Sequence, residues 1–217
     1  MGSTGKSTIW SEAKKSKLLK IFEELYPDPQ SELNFKNDYQ LLISVILSAQ
    51  CTDKKVNQVT PELFSSFKNF KQLGEAKLSK VEQIIRQVNY YKTKSKNIIK
   101  TAEIITEKYR GKLPLTREEL EALPGVGRKT TSVVLSEKDI EPAFPVDTHV
   151  FRVSRRLKLA TRTDRDKVEE QVRTKFDPKH WRPLHHWLIF HGRRVCKAQT
   201  PLCGNCSLSD LCPSAEI

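Results

Sequence analysis

The sequence predicts an all-helical protein, and three observations carry this prediction. Apolar residues recur at helical spacing through most of the chain, as at Ile98, Ala102 and Ile105. No segment alternates apolar and polar residues as a half-buried strand does, and the 217 residues contain no internal repeat or low-complexity stretch. A chain of this length can bury a sizeable core, so a stable globular fold is expected.

The helices can be placed in order from their apolar stripes and from the residues that end them. Pro27 and Pro29 end the first helix, and Gly111 stands where a C-cap would close the fifth. Pro142 and Pro145 break the chain before the eighth, and the second is the most apolar. The predicted spans are 11–25, 38–50, 56–67, 81–88, 94–109, 116–122, 128–138, 148–159, 165–175 and 183–192.

The charge pattern indicates a polyanionic partner. Lysine and arginine number 38 against 26 acidic residues, a net charge of +12, which favours nucleic acid over a membrane surface. The densest basic stretch has no acid between Glu82 and Glu103 and carries two tyrosines, as a phosphate-facing patch with stacking partners would. A solvated helix face has the same pattern, so that alternative stays open. The stretch comprises Arg86, Tyr90, Tyr91, Lys92, Lys94, Lys96 and Lys100.

No segment is predicted to cross a membrane or to direct secretion. The most apolar run, Leu41 to Ala49, is far shorter than the roughly 20 residues that a spanning helix needs. The N-terminus lacks the apolar core and cleavage site of a signal peptide. We therefore expect a cytoplasmic protein in a reducing compartment, where disulfides are rare.

Four of the five cysteines lie close together near the C-terminus, in a C-x6-C-x2-C-x5-C run. Such a run can hold an iron–sulfur cluster, a zinc ion or disulfides; the spacing favours the cluster, because only one close C-x2-C pair is present. The fifth, Cys51, lies in an apolar segment and is expected to pack. The candidate ligands are Cys196, Cys203, Cys206 and Cys212. We expect the histidines to pack or hydrogen-bond rather than bind metal: His149, His180, His185, His186 and His191.

A glycine-bent turn precedes a lysine between two predicted helices, in the sequence LPGVGRKT at 123–130. Gly125 and Gly127 permit a tight bend and leave backbone N–H groups at the start of the next helix, a site suited to a DNA phosphate. Lys129 stands in the first turn of that helix. The positive helix end disfavours an ammonium ion, and a neutral amine is what nucleophilic attack requires. A lysine that simply pairs with phosphate is the alternative.

Asp147 follows a proline-broken segment and precedes the eighth predicted helix. The commonest role of an aspartate at such a position is that of the N-cap. A helix, a turn and a second helix between Lys129 and Asp147 could bring the amine and the carboxylate together. Asp147 could then deprotonate the amine or stabilise positive charge on a sugar, and capping would hold the carboxylate still.

Several motifs in the same order resemble the endonuclease III family of helix-hairpin-helix DNA glycosylases, which carry a C-terminal [4Fe–4S] cluster. The resemblance runs from about Ser31 to Cys212. It rests on LSAQCTD at 47–53, the turn at 123–130, VDTHVFRV at 146–153, HWLIFHGR at 186–193 and the four cysteines.

The resemblance implies two helical lobes with a cleft between them, which receives a nucleotide flipped out of the duplex. Residues 31–141 would form a six-helix barrel domain with the helix-hairpin-helix motif, and residues 1–30 with 142–217 would form the iron–sulfur cluster domain. The implied activity is a bifunctional DNA glycosylase and abasic-site lyase that removes oxidised pyrimidines in base excision repair. Its partner would be damaged double-stranded DNA, bound by a monomer associated with the nucleoid.

The resemblance also implies roles for individual residues. Lys129 would attack C1′ of the sugar and Asp147 would assist; Gln50 would fill the space left by the flipped base. The backbone of Gly125, Val126 and Gly127 would hold phosphate, and the four cysteines would ligate the cluster. A monofunctional adenine glycosylase typically lacks the lysine and carries a glutamate near position 50, and neither holds here; a non-catalytic DNA-binding protein on the same scaffold is the remaining alternative.

Two positions depart from the family pattern. Asn89-Tyr90-Tyr91 stands where a small residue, an apolar wedge and an aromatic residue are usual, so Tyr90 replaces the wedge that enters DNA. The loop between Cys196 and Cys203 has a single basic residue, Lys197, where several are common. We expect fewer phosphate contacts from this loop and a shallower salt dependence of DNA binding.

Overall fold

The structure, a computed structural model, describes residues 10–215. Every regular element in this part of the chain is helical, which confirms the all-α prediction. The helices are α1 Glu12–Leu25, α2 Asp38–Ser48, α3 Asp53–Ser66, α4 Phe70–Gly74, α5 Leu78–Ile84, α6 Tyr91–Tyr109, α7 Arg117–Glu121, α8 Arg128–Glu137, α9 Thr148–Arg156, α10 Arg165–Arg173 and α11 Pro178–Arg194, with 3₁₀ turns at Cys203–Asn205 and Ser209–Leu211.

Most helices differ from the predicted spans at one end or both, and three of the differences have identifiable reasons. The sequence did not predict α4, because five residues are too few for periodicity to be visible; the Asn69 side chain caps this helix. Helix α11 begins at Pro178, before its predicted start. Proline is tolerated there, because a backbone N–H in the first turn of a helix would have no intrahelical acceptor. Helix α9 ends at Arg156 rather than 159, because Lys158 adopts the left-handed conformation (φ 58°).

Residues 31–141 form one compact unit. It contains seven helical segments, α2 to α8, one more than the expected six because of the short α4. Helix α2 is its centre and packs against α3, α6 and α8, while α4 packs along α6. This is why α2 is apolar on nearly all sides; its buried residues are Tyr39, Leu41, Leu42, Ile43, Ser44, Val45, Ile46 and Leu47.

Residues 10–30 and 142–215 form the second compact unit. Helix α11 packs against α9 and α1, and the cysteine loop follows it. Phe22 stacks on Trp187 with ring centroids 5.8 Å apart. The indole N–H of Trp187 donates to the Tyr26 carbonyl at 2.9 Å, so the end of α1 is tied to α11.

Candidate functional site

The glycine turn between α7 and α8 is fixed against α6. Gly125 has φ +78°, a left-handed conformation that side chains with a Cβ rarely adopt. A Cβ on Gly125 would lie 2.9 Å from Asn97 Nδ2, so glycine is also required by close approach. The Thr101 hydroxyl donates to the Pro124 carbonyl at 2.8 Å. These contacts with α6 hold the turn in place and leave Gly125 and Gly127 exposed.

Lys129 lies in the first turn of α8 and is exposed. Gly127 is the N-cap of this helix, without a side chain that could cover its first N–H groups. The first turn also contains no acidic residue. A ligand phosphate at this helix end would therefore meet unobstructed backbone donors, with the Lys129 amine beside it. Val126, between the two glycines, is buried and anchors the turn.

Asp147 is the N-cap of α9, as the sequence predicted. Its Oδ1 accepts from the backbone N–H groups of both His149 and Val150, each at 2.8 Å. The carboxylate is half-buried and its orientation is set by these two bonds. Because Lys129 and Asp147 belong to different compact units, their pairing stays a prediction.

The loops that carry Gln50 and Tyr90 lie next to each other. The Asn89 side-chain amide donates to the Gln50 carbonyl at 2.8 Å. Gln50 and Tyr90 both have left-handed backbones, with φ 53° and 59°, and both are exposed, Tyr90 by 66%. The two residues proposed to enter DNA are thus brought together, although 39 positions separate Gln50 from Asn89 in the sequence.

Lys94 corrects the prediction of a phosphate-facing basic patch. It is buried, with 6% of its surface exposed, and its Nζ donates to the carbonyls of Leu47 at 2.7 Å and Ala49 at 2.6 Å. Burial lowers the pKa of Lys94, and an electrostatic interaction with Cys51 opposes this shift. The sequence signal was present: Lys94 lies four residues before Ile98, on the apolar face of α6.

The four C-terminal cysteines border one cavity. All are unpaired thiols, so the disulfide alternative is wrong for these residues. Burial raises the pKa of the Cys206 and Cys212 thiols, and charge on the neighbouring thiols raises it further. A bound cationic centre would lower the pKa of these thiols instead, because it stabilises the thiolate form. The cavity is also lined by the apolar side chains of Val153, Leu157, Leu202 and Leu208.

This donor set fits a [4Fe–4S] cluster. In residues 10–215 no three His, Cys, Asp or Glu side chains converge as the ligands of a single metal ion do. Four thiolates around one cavity are the donor set that such a cluster takes. Arg156 Nη1 lies 3.3 Å from Cys196 Sγ, and His191 Nε2 lies 3.5 Å from Cys206 Sγ, so both can donate hydrogen bonds to sulfur.

Lys197 is exposed in the loop after Cys196. Arg156 holds this loop, because its Nη1 donates to the Lys197 carbonyl at 2.6 Å and its Nη2 to the Ala198 carbonyl at 2.8 Å. The sequence did not single out Arg156, whose role depends on contacts with residues about 40 positions away.

Four of the five histidines pack or hydrogen-bond within the unit that carries the cysteine loop. His185, His186 and His191 are buried, and His185 Nδ1 lies 2.8 Å from the Pro145 carbonyl oxygen. The ring of His149 packs against Gly192, where a Cβ would lie 3.0 Å from the His149 Cβ.

Comparison with known proteins identifies the family. Residues 43–178 match the model of the HhH-GPD superfamily base excision DNA repair protein, and residues 196–212 match the iron–sulfur binding domain of endonuclease III. The chain is 42% identical to endonuclease III of Escherichia coli K12 over 207 residues, 95% of this chain and 98% of that protein. The chain belongs to the endonuclease III family. Endonuclease III of Bacillus subtilis is 43% identical over 194 residues, 89% of each chain.

Solved structures agree with this membership in the endonuclease III family. A trapped endonuclease III–DNA covalent intermediate, in an estranged-adenine complex, superposes with a TM-score of 0.88 at 40% identity and covers 95% of this chain and 98% of that chain. A thermostable thymine-DNA glycosylase, 20% identical with a TM-score of 0.83, covers 95% of this chain and 99% of that chain and shows the shared fold alone.

Family membership establishes the class of enzyme and the cofactor. The protein is a bifunctional DNA glycosylase and abasic-site lyase of base excision repair, and it carries a [4Fe–4S] cluster in its C-terminal loop. From residue 10 to residue 215, no helix is both long enough and apolar enough to cross a membrane.

Proposed function

We propose that the protein excises oxidised pyrimidines from duplex DNA and then cleaves the abasic site, with Lys129 as the nucleophile. The observation that carries the proposal is the exposed Lys129 amine in the first turn of α8, directly after the glycine turn. A backbone phosphate bound at this helix end would bring the adjacent sugar to the amine.

The chemistry needs a neutral amine and a leaving base. Lys129 Nζ forms a bond to C1′ as the bond from C1′ to the damaged base breaks, and the base leaves with a proton. The sugar ring opens to an imine that links C1′ to Lys129. Loss of a proton from C2′ then breaks the C3′–O bond, which cuts the strand on the 3′ side of the lesion. Water finally hydrolyses the imine and releases the lysine.

Asp147 would act on charge and on protons in this sequence. Its carboxylate would take the proton from the Lys129 ammonium ion and would stabilise the cationic sugar as the base departs. The two backbone N–H groups that bind Oδ1 keep the side chain in one orientation, which supports this role because a fixed carboxylate requires no reorganisation during the reaction.

Other residues would bind the duplex around the reacting sugar. The backbone N–H groups of Gly125, Val126 and Gly127 would hold phosphate at the turn. Gln50 would fill the space of the flipped base and Tyr90 would stack between neighbouring bases. Lys197 would add one phosphate contact from the cysteine loop.

Cys196, Cys203, Cys206 and Cys212 would ligate the cluster. The cluster supplies four metal–thiolate links that close the loop around one centre, and its proposed role is to shape the loop that presents Lys197. We also propose that the protein acts as a monomer and, because its substrate is chromosomal DNA, that it works at the nucleoid in the cytoplasm.

Borohydride trapping tests the nucleophile. A duplex with an abasic site or an oxidised pyrimidine should give a covalent adduct with the wild-type protein and none with Lys129→Gln. Lys112→Gln is the matched control, because Lys112 is also an exposed lysine of the 31–141 unit. An adduct that persists in Lys129→Gln would refute the assignment.

A panel of duplexes, each with one damaged base, tests the lesion class. Oxidised pyrimidines should be excised and 8-oxoguanine should remain. The same duplexes should also be tested with the variant Tyr90→Leu, which restores the apolar wedge usual in the family. If tyrosine affects reading of the opposite base, the two proteins will differ in their preference among the four opposing bases.

A further inference from the structure

Gln50 and Tyr90 share an unusual backbone conformation. Both have positive φ, 53° and 59°, although neither is glycine. This left-handed region is disfavoured for residues with a Cβ, and such residues keep it only where surrounding contacts over-determine the conformation. Both side chains are exposed, so their own packing does not provide these contacts.

Asn89 supplies one of the constraining contacts. Its side-chain amide donates to the Gln50 carbonyl at 2.8 Å, and Asn89 directly precedes Tyr90. The bond therefore joins the loop of Gln50 to the loop of Tyr90. A shift of either loop would stretch this bond, so the two residues cannot move independently while it is present.

Lys94, whose side chain is buried, supplies a second constraint on the same loops. Its Nζ donates to the carbonyls of Leu47 and Ala49, which lie in the last turn and at the C-cap of α2, directly before Gln50. A cation at this end of α2 also complements the helix dipole. Lys94 itself lies in the first turn of α6, where its backbone N–H donates to the Tyr90 carbonyl at 3.0 Å. One residue thus contacts the backbone on both sides of the pair.

We propose that Asn89 and Lys94 are positioning residues that hold Gln50 and Tyr90 as one rigid insertion pair, which enters the duplex as the damaged nucleotide leaves the stack. This inference rests on the function proposed above. It adds that the spacing between the two inserted side chains is set by contacts within the 31–141 unit before DNA binds. Specificity for the opposing base then depends on Asn89 and Lys94, neither of which needs to touch that base.

The experiment compares Asn89→Asp, Lys94→Met and wild type. Asn89→Asp keeps the shape of the side chain but removes the amide donor, and Lys94→Met keeps the length of the side chain but removes the ammonium group. Asn34→Asp is the matched control for the added charge, because Asn34 is an exposed asparagine of the same unit. Thermal unfolding of each protein shows whether it is folded.

The readouts separate insertion into DNA from chemistry. Borohydride trapping rates are measured on the same abasic strand in duplex and single-stranded form, since only the duplex has a space to fill. The ratio of the duplex rate to the single-strand rate should fall about tenfold in Asn89→Asp, the effect of roughly one lost hydrogen bond. Fluorescence of 2-aminopurine placed opposite the site should also change less on binding, and the preference among opposing bases should flatten.

The outcomes decide between the two proposals. If wild-type protein forms no adduct with either DNA, the proposed function fails. If wild type forms adducts but Asn89→Asp retains its rate ratio, fluorescence change and opposing-base preference, the inference is overturned. If Lys94→Met does not fold, Asn89→Asp alone decides, because its substitution lies on the exposed surface. A rate ratio that falls equally in Asn34→Asp would also overturn the inference, since added charge would then explain it.

Discussion

Asp147 Oδ1 accepts a hydrogen bond from the backbone N–H of Val150 at 2.8 Å. This bond satisfies one of the N–H groups that every helix leaves without an intrahelical partner, and it starts α9 at Thr148. The carboxylate that caps the helix is also the one that we propose for catalysis. Capping needs the oxygen as an acceptor, whereas the proposed catalytic role needs the negative charge.

Substitution can separate these two properties of Asp147. Asparagine caps a helix about as well as aspartate, so Asp147→Asn should unfold near the wild-type temperature, whereas Asp147→Ala should lose about 1 kcal/mol of unfolding free energy. Both variants should lose excision activity, on the order of 10²-fold, because both lack the charge. Single-turnover kinetics and denaturant unfolding measure the two effects. Full activity in Asp147→Asn would rule out the chemical role.

The two glycines of the turn should respond differently to alanine. Gly125→Ala should lose roughly 1–2 kcal/mol of unfolding free energy from its left-handed backbone, and further stability because the new Cβ would press on Asn97. Gly127 has φ −107°, and a Cβ there would meet nothing within 4 Å, so Gly127→Ala is the matched control and should remain close to wild type in stability. Urea unfolding measures both. Equal losses would show that the turn does not depend on the conformation of Gly125.

Loss of one cysteine ligand should remove the cluster. We expect purified wild-type protein to contain about four iron atoms and four acid-labile sulfides per chain. Cys212→Ser should lose this iron, unfold at a lower temperature and bind duplex DNA more weakly, because the loop that carries Lys197 is no longer closed. Cys51→Ser is the control, since Cys51 lies in the other compact unit and should leave the iron content unchanged. Stoichiometric zinc in place of iron would contradict the cluster assignment.

His149 should make stability depend on pH in the acidic range. Burial lowers the pKa of His149 from 6.5; the nearby Asp147 opposes this shift, while Arg152 and Arg193 add to it. The unfolded chain therefore binds more protons than the folded chain as pH drops below 6.5 towards the folded-state pKa, and stability falls in that window.

The variant His149→Gln tests this dependence. The loss of unfolding temperature between about pH 7 and about pH 5 should be smaller in His149→Gln than in wild type. At about pH 8 the imidazole is neutral in both states, so the difference there measures the cost of the substitution itself. An identical pH dependence in the two proteins would show that His149 does not titrate in this range.

Most helices and several site residues could be predicted from local patterns. The apolar stripe of α6 and the proline stops around α1 are local signals, because helical periodicity is visible in any stretch of several turns. The N-cap role of Asp147 and the clustering of Cys203 and Cys206 are equally local, since the residues involved are close together in the chain. Helix α4 shows no such signal, because its five residues are too few for periodicity to be visible and only Phe70 and Leu73 pack into the core.

Residue type and spacing were therefore sufficient for the fold class. They also singled out candidate cluster ligands and a candidate nucleophile, whose roles stay predictions. They were insufficient for Lys94, which composition placed in a phosphate-facing patch and which the fold buries against the C-terminal end of α2. They also could not reveal that Asn89 binds the Gln50 carbonyl. The reason is physical. Whether a lysine amine contacts water or a backbone carbonyl depends on which helices pack together. Packing brings together residues that are far apart in the chain, and no local sequence pattern marks such pairs.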